Sequence, residues 1–131
     1  MKGPGGVIAA ISTPRAPGAI GIVRLSGEGA LEVASRLFFP FGGACVLSLP
    51  DRSVTYGAVR RRDGEELDRA LLTVMRAPRS YTGEDVCEIS CHGGIYITEE
   101  LLALCIEAGA RAAGPGEFTR RAFLNGKMDL T

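Results

Sequence analysis

The pattern of apolar and polar positions predicts five β-strands and three helices along the chain. Strands are predicted in five short segments that are apolar throughout or alternate between apolar and polar residues: Val7–Ile11, Ala19–Leu25, Ser53–Arg61, Leu67–Met75 and Glu84–Cys91. Helices are predicted in three segments where apolar residues recur every three or four positions: Glu28–Phe38, Ile95–Ala108 and Gly116–Leu124. The order ββαβββαα predicts an α+β domain with a mixed β-sheet of about five strands and with helices packed mainly on one face.

The composition narrows the functional classes. The 131 residues are enough for one domain with its own core, and 15 basic residues balance 15 acidic ones. A net charge of zero disfavours a general nucleic-acid-binding domain, which is usually basic. Because no apolar run is long enough for a signal peptide or a membrane span, we expect a cytoplasmic protein without membrane contact. We therefore also expect the four cysteines to be reduced and mostly buried thiols.

The predicted strand Glu84–Cys91 places a carboxylate among apolar neighbours. Strand alternation puts Cys87 and Cys91 on one face and Glu88 on the other. Cysteines four positions apart on a strand are about 13 Å apart, too far to share one metal ion, so no metal site is expected. Glu88 needs a partner because burying an unpaired carboxylate is costly. That partner is either an arginine, in a structural ion pair, or a bound ligand that the carboxylate recognises.

Two further polar residues lie at the ends of predicted strands. Arg24 ends the apolar strand face that carries Ile20 and Ile22, and its guanidinium would either extend to solvent or anchor a ligand carboxylate or oxo group. His92 precedes Gly93–Gly94 at a strand-to-helix turn and is either structural or a catalytic base. No G-x-S-x-G nucleophile turn accompanies it. The turn itself could hold an anion at the start of the helix.

Basic residues cluster around the last predicted helix. Arg120, Arg121 and Lys127 would form either a small basic patch or a solvated helix end. The pair Gly126–Lys127 is not part of a phosphate-binding P-loop, because Arg121 stands where that motif needs its first glycine. We therefore expect no catalytic nucleoside-triphosphatase site in this chain.

Three segments together resemble the N-terminal domain of the MnmE (TrmE) family of tRNA-modification GTPases. They are IAAISTPRAPGAIGIVRLSG (Ile8–Gly27), PRSYTGEDVCEISCHGG (Pro78–Gly94) and GPGEFTRRAFLNGKMDLT (Gly114–Thr131). The resemblance spans nearly the whole chain in order. It implies a homodimeric domain that binds a tetrahydrofolate derivative, either 5-formyl- or 5,10-methylene-tetrahydrofolate. It also implies similarity to the folate-binding units of aminomethyltransferases of the glycine-cleavage T-protein type.

For the parent protein, the resemblance implies a GTPase that binds GTP with Mg²⁺ and K⁺ outside this chain. With the flavoprotein MnmG (GidA), it would install a (carboxymethyl)aminomethyl group on C5 of the wobble uridine of tRNA. The sequence is then a fragment, with residues 1–115 as the folate-binding and dimerisation domain and 116–131 as the start of the connection to a helical domain. We expect no catalytic activity from the fragment alone.

The family's folate-contacting residues correspond here to Arg24, Glu88 and Lys127. Secondary candidates lie close to them in the same motifs: Tyr81, Thr82, His92, Gly93 and Arg120. A pterin presents a ring N–H and an amino group side by side, and one carboxylate, Glu88, could accept both hydrogen bonds. Arg24 and Lys127 would then bind the acidic tail and the carbonyl or formyl oxygens.

The chain departs from the family pattern in the loop 14–19, where Pro-Arg-Ala-Pro-Gly-Ala replaces a more glycine-rich sequence. Two other functions remain open at this point. One is a structural assembly module without retained folate binding. The other is a small hydrolase that uses Cys91 or His92.

Overall fold

One mixed β-sheet of seven strands forms the centre of the computed structural model, which describes residues 6–13 and 20–127. The strands are β1 Ile8–Ile11, β2 Gly21–Ser26, β3 Phe38–Pro40, β4 Ser53–Arg60, β5 Glu66–Met75, β6 Val86–Cys91 and β7 Arg111–Ala112. The helices are α1 Ala30–Ser35, α2 Gly94–Glu107 and α3 Glu117–Leu124, and a short 3-10 turn covers Val46–Ser48. The α+β class and the mixed sheet are therefore confirmed.

The strands lie in the order β3-β4-β5-β6-β2-β1-β7. All neighbours are antiparallel except β1 and β7, which are parallel. The longest strands, β4 and β5, form a hairpin next to β6. The sheet ends on short strands, with three residues in β3 and two in β7.

The prediction of about five strands is wrong, because two short strands carry no detectable periodicity. The helix predicted over Glu28–Phe38 includes Phe38, yet Phe38 pairs with Val59 of β4 and its side chain is buried. Helix α1 consequently ends at Ser35 rather than at Phe38. Arg111–Ala112 pairs with Ile8 and Ala9 of β1 only because α2 returns the chain there. Both strands depend on distant partners and not on a local pattern.

Helices α1 and α2 cover one face of the sheet and enclose the core. Strand residues on that face include Val23, Leu25, Cys87 and Ile89, all fully buried. Helix α2 crosses β2 so closely that a Cβ at Gly21 would lie 1.9 Å from the Thr98 hydroxyl. Helix α3 lies instead beside the opposite face. None of the helices within residues 6–13 and 20–127 is long and apolar enough to cross a membrane.

Candidate functional site

A row of side chains crosses the sheet on the face away from α1 and α2. Strand register places Thr73 of β5 opposite Glu88 of β6, and Glu88 opposite Arg24 of β2. Residues opposite each other on neighbouring strands share a face, so these three side chains lie side by side. Arg24 Nε donates to Glu88 Oε2 at 2.7 Å. Two residues that the sequence analysis singled out separately are therefore in direct contact.

Aromatic rings flank this ion pair. The guanidinium carbon of Arg24 lies 5.6 Å from the ring centres of both Tyr81 and Phe118, a cation–π distance. Tyr81 shares a hydrogen bond of 3.2 Å with Thr119 of α3, which links the Pro78–Asp85 loop to the helix. The Arg24 and Glu88 side chains are 28% and 22% exposed, so both can reach a ligand. The pair thus combines an internal partner with access from solvent.

Two clefts lie on this face and meet at Tyr81. The first, which we call the aromatic cleft, has a volume of about 360 Å³. It is lined by residues 10–12, Arg24, Tyr81, Ala113, Gly114, Gly116, Glu117, Phe118 and Thr119. The second, which we call the basic groove, has a volume of about 530 Å³ and is lined by Arg52, Thr73, Met75, Arg79, Ser80, Tyr81 and Lys127.

Lys127 reaches the basic groove over a glycine. Gly83 has a φ of +82°, and a Cβ at this position would lie 2.9 Å from Asn125 Cβ and 3.2 Å from Lys127 Cγ. The left-handed backbone and the lack of space both favour glycine here. The Asn125 amide also donates to the Thr82 carbonyl at 2.9 Å. The chain after α3 is thereby held against the loop that carries Tyr81.

A buried charge network that the sequence analysis missed fastens α3 to the sheet. Arg121 is only 8% exposed, which contradicts its assignment to a basic patch or a solvated helix end. Its Nη1 donates to the Gly6 carbonyl at 2.8 Å and lies 3.2 Å from Glu84 Oε1. Ser26 donates to Glu84 at 2.8 Å and shares a 2.7 Å hydrogen bond with Thr82. In the sequence, the position of Glu84 at the start of an apolar strand indicates that a carboxylate there needs a cationic partner.

Glu117 is the first residue of α3 and lies beside the aromatic cleft. It accepts hydrogen bonds from both terminal nitrogens of Arg111, one of them at 3.0 Å, and from the Gly114 backbone N–H at 2.8 Å. Arg111 and then the Gly114 N–H lower the pKa of the Glu117 carboxyl from 4.5 to about 2. The carboxylate is therefore charged at every physiological pH.

We expect the domain to lose stability as the pH falls from about 4.5 to about 2. The folded-state pKa of Glu117 lies below its ordinary value. Its contribution is therefore fully present above pH 4.5 and disappears as the carboxyl is protonated in the folded state. Urea unfolding measured at intervals across this range should show the decline. Glu117→Gln should flatten part of that decline, and an unchanged slope in the variant would contradict the assignment.

A protein-family model described as "GTP-binding protein TrmE N-terminus" matches residues 7–127. The chain belongs to this family. It is 53% identical over 125 residues to the tRNA modification GTPase MnmE of Carboxydothermus hydrogenoformans and 51% identical over 125 residues to that of Levilactobacillus brevis. These matches cover 95% of this chain but 27% and 26% of the relatives. The chain thus spans about a quarter of the length of the relatives it matches.

Within this member of the TrmE N-terminal family, the secondary site candidates are dispersed. Tyr81 lines both clefts. Thr82 is fully buried, where its hydroxyl supports the Arg121 network. His92 and Gly93 are exposed at the start of α2, and the His92 N–H donates to Asp68 at 2.9 Å. Arg120 is exposed on α3 outside both clefts. The loop 14–19, with Arg15, lies outside the described residues.

The cysteines of this family member are mostly buried free thiols, as predicted. Cys87, Cys91 and Cys105 are fully buried, and Cys45 is exposed. Burial raises the pKa of the Cys87 and Cys105 thiols to about 12. Cys91 is within 3.5 Å of the Thr98 hydroxyl and has no exposed surface for a substrate. The described ranges contain no cluster of three or more His, Cys, Asp or Glu residues able to hold a metal ion.

We expect one thiol per native chain to react rapidly with a disulfide reagent such as Ellman's reagent at pH 8. That thiol is Cys45, because the other three are sealed in the core. Cys45→Ser should abolish the fast phase, and the remaining thiols should react only when the protein is unfolded in denaturant. A second fast-reacting thiol in the native protein would contradict this expectation and would favour the alternative function of a thiol hydrolase.

Proposed function

We propose that this chain is a tetrahydrofolate-binding, homodimer-forming domain of a tRNA-modification GTPase. The observation that carries the proposal is the Arg24–Glu88 ion pair, which stands on an open sheet face between aromatic rings. Family membership supports it. Arg24 of this pair also lines the aromatic cleft, where a ligand could reach it.

The pair suits the edge of a pterin. Glu88 uses one oxygen for Arg24 Nε, but a carboxylate has about four lone-pair sites on its two oxygens. It can therefore also accept the ring N–H and the amino group of a pterin. Tyr81 and Phe118 offer flat apolar surfaces for the planar ring. Arg24 fixes the carboxylate and keeps donors for a carbonyl or formyl oxygen of a 5-formyl or 5,10-methylene folate.

Lys127 supplies a cation on the tail side of the ligand. It lies across Tyr81 from the aromatic cleft, in the basic groove. A folate that contacts Glu88 with its pterin and passes Tyr81 with its benzoyl ring would bring its glutamate towards Lys127. The three charges of the sequence-based proposal then contact three different parts of one ligand.

The homodimer is proposed from an exposed apolar patch on the same sheet face. Val54 and Tyr56 of β4 are 61% and 51% exposed, and Leu71 of β5, the neighbour of Tyr56, is 38% exposed. Phe41 packs edge-on against Tyr56 with 5.0 Å between ring centres. A second copy of the chain would cover this surface. Sedimentation equilibrium should give twice the chain mass, and a strictly monomeric protein at high concentration would contradict the dimer.

For the whole protein we propose the activity that the relatives' name states, a tRNA modification GTPase. GTP, Mg²⁺ and K⁺ would bind outside this chain. With a flavoprotein partner of the MnmG type, the parent would act in the cytoplasm on C5 of the wobble uridine, with the folate as one-carbon donor. We further propose that the domain shares its fold with the folate-binding units of T-protein-type aminomethyltransferases.

Titration calorimetry with 5-formyl-tetrahydrofolate tests the proposal. We expect saturable binding with one ligand per chain, and much weaker binding of p-aminobenzoyl-glutamate, which has the tail but no pterin. A crystal soaked with the folate should show density for the pterin beside Glu88. The absence of saturable binding at millimolar ligand would overturn the proposal and leave an assembly module.

A further inference from the structure

The basic groove carries more positive charge than one glutamate tail needs. Arg52 and Arg79 line it together with Lys127, and no lining residue among those the structure describes is acidic. Asp51 lies behind Arg79, with its Oδ2 at 3.3 Å from Arg79 Nε. Since a guanidinium has five N–H donors, this contact leaves Arg79 with donors for a ligand.

The backbone at Arg52 has an unusual, fixed conformation. Arg52 has a φ of +59° and is the one non-glycine residue in the described ranges with a positive φ. Such a conformation is unfavourable for a side chain with a Cβ and persists only where surrounding contacts impose it. Here the Arg52 N–H donates to the Val74 carbonyl at 2.8 Å. The adjacent Ser53 hydroxyl donates to the Pro50 carbonyl at 2.6 Å.

Arg79 is positioned by a second fixed group. Asp51 accepts a hydrogen bond of 2.7 Å from the Arg76 backbone N–H. That bond, with smaller contributions from Arg79 and Arg52, lowers the pKa of Asp51 below its ordinary value of 3.8. The side chain of Arg79 is itself 70% exposed. Asp51 thus orients Arg79 without closing it off from solvent.

The groove is continuous with the proposed pterin site. Its floor includes Thr73, which is the direct neighbour of Glu88 on the next strand, about 4.8 Å away. Tyr81 lines both the groove and the aromatic cleft. A ligand bound by its head at Glu88 would therefore pass Thr73 and Tyr81 on its way into the groove.

We infer that the basic groove is a subsite for a γ-linked polyglutamate tail, the form in which each added glutamate brings one more carboxylate to the folate. This inference rests on the proposed folate binding, and it specifies that the site prefers folates with a polyglutamate tail. Lys127 meets the first glutamate, and Arg52 and Arg79 meet the carboxylates added beyond it. Guanidinium groups suit this task because their forked donors match carboxylate oxygens.

The expected effect is a preference for tail length. Exposed ion pairs contribute modestly, so two additional carboxylates should tighten binding roughly tenfold. The preference should shrink in about 0.5 M salt, because added salt screens exposed charges. Binding of the pterin head depends instead on Glu88, Arg24 and Phe118, none of which lines the basic groove.

The experiment compares the Kd of 5-formyl-tetrahydrofolate with one and with three glutamates, by calorimetry at low and high salt. The double variant Arg52→Asn/Arg79→Gln removes both cations, and asparagine tolerates the positive φ at position 52. We expect the ratio of the two Kd values to fall from roughly ten to near one. Arg62→Gln, an exposed arginine in a separate cleft with Arg36 and Arg60, is the matched control and should keep the full ratio.

The outcomes separate this inference from the proposed function. If both folates bind wild-type protein with equal affinity, or if the double variant keeps the full ratio while folded by circular dichroism, the subsite is overturned and folate binding stands. If neither folate binds wild-type protein, folate binding fails and the subsite with it.

Discussion

Replacing Glu88 by glutamine is expected to weaken binding of 5-formyl-tetrahydrofolate about a hundredfold. The glutamine amide can accept through only one oxygen, so it cannot receive two adjacent donors of the pterin. It also leaves Arg24 without its carboxylate partner. Calorimetry on wild type and variant gives the ratio of dissociation constants directly.

The same variant decides between the two explanations of the ion pair. If Glu88 serves packing only, Glu88→Gln should lower the free energy of unfolding and leave folate affinity unchanged. We expect instead that folate affinity falls strongly while the free energy of unfolding changes little. Because both side chains are partly exposed, the loss of stability should be about 1 kcal/mol or less. Glu32→Gln, an exposed carboxylate on α1, is the control and should change neither quantity.

Replacing Arg121 by methionine is expected to destabilise the domain by about 3 kcal/mol. The variant keeps much of the side-chain volume but leaves Glu84 without its cation, next to the hydroxyls of Ser26 and Thr82. Breaking a fully buried ion pair would destabilise a protein more than this. We expect a smaller loss here because the Glu84 side chain is 23% exposed. Urea unfolding at neutral pH measures the change.

Arg120→Met provides a control on the same helix. Arg120 is exposed, so its replacement should alter the free energy of unfolding by about 0.5 kcal/mol or less. The double variant Glu84→Gln/Arg121→Met should be less destabilised than the sum of the single variants, since both remove the same charge pair. Equal effects of the two arginine replacements would contradict the buried network.

Features that depend on strand alternation could be predicted from the sequence. The alternation around Glu88 predicts Cys87 and Cys91 on the face opposite to Glu88, and both are fully buried. It also set Glu88 apart as a carboxylate in need of a partner. Periodicity did not decide that this partner is Arg24, because the register of β2 against β6 joins residues 64 positions apart.

Features that depend on distant segments could not be predicted. Arg121 and Arg120 are adjacent in sequence, yet one is buried and the other exposed, because only the docking of α3 distinguishes them. The ring of Phe118 reaches Arg24 for the same reason. The sequence pattern does not show that Arg52 and Arg79 lie in the same groove. Each lies outside the strands, and the groove forms only when their two segments meet in the fold.

The short outer strands of the sheet limit how two copies of the domain can join. β3 has three residues, one of them a proline without a backbone N–H, and β7 has two. Edge strands this short offer too few backbone donors and acceptors for a strand of a second copy to pair with them. The homodimer proposed above would therefore use side chains on the broad surface of the sheet, where the apolar patch and the two clefts both lie. Occupancy of those clefts and pairing of the subunits would then compete for, or share, one surface.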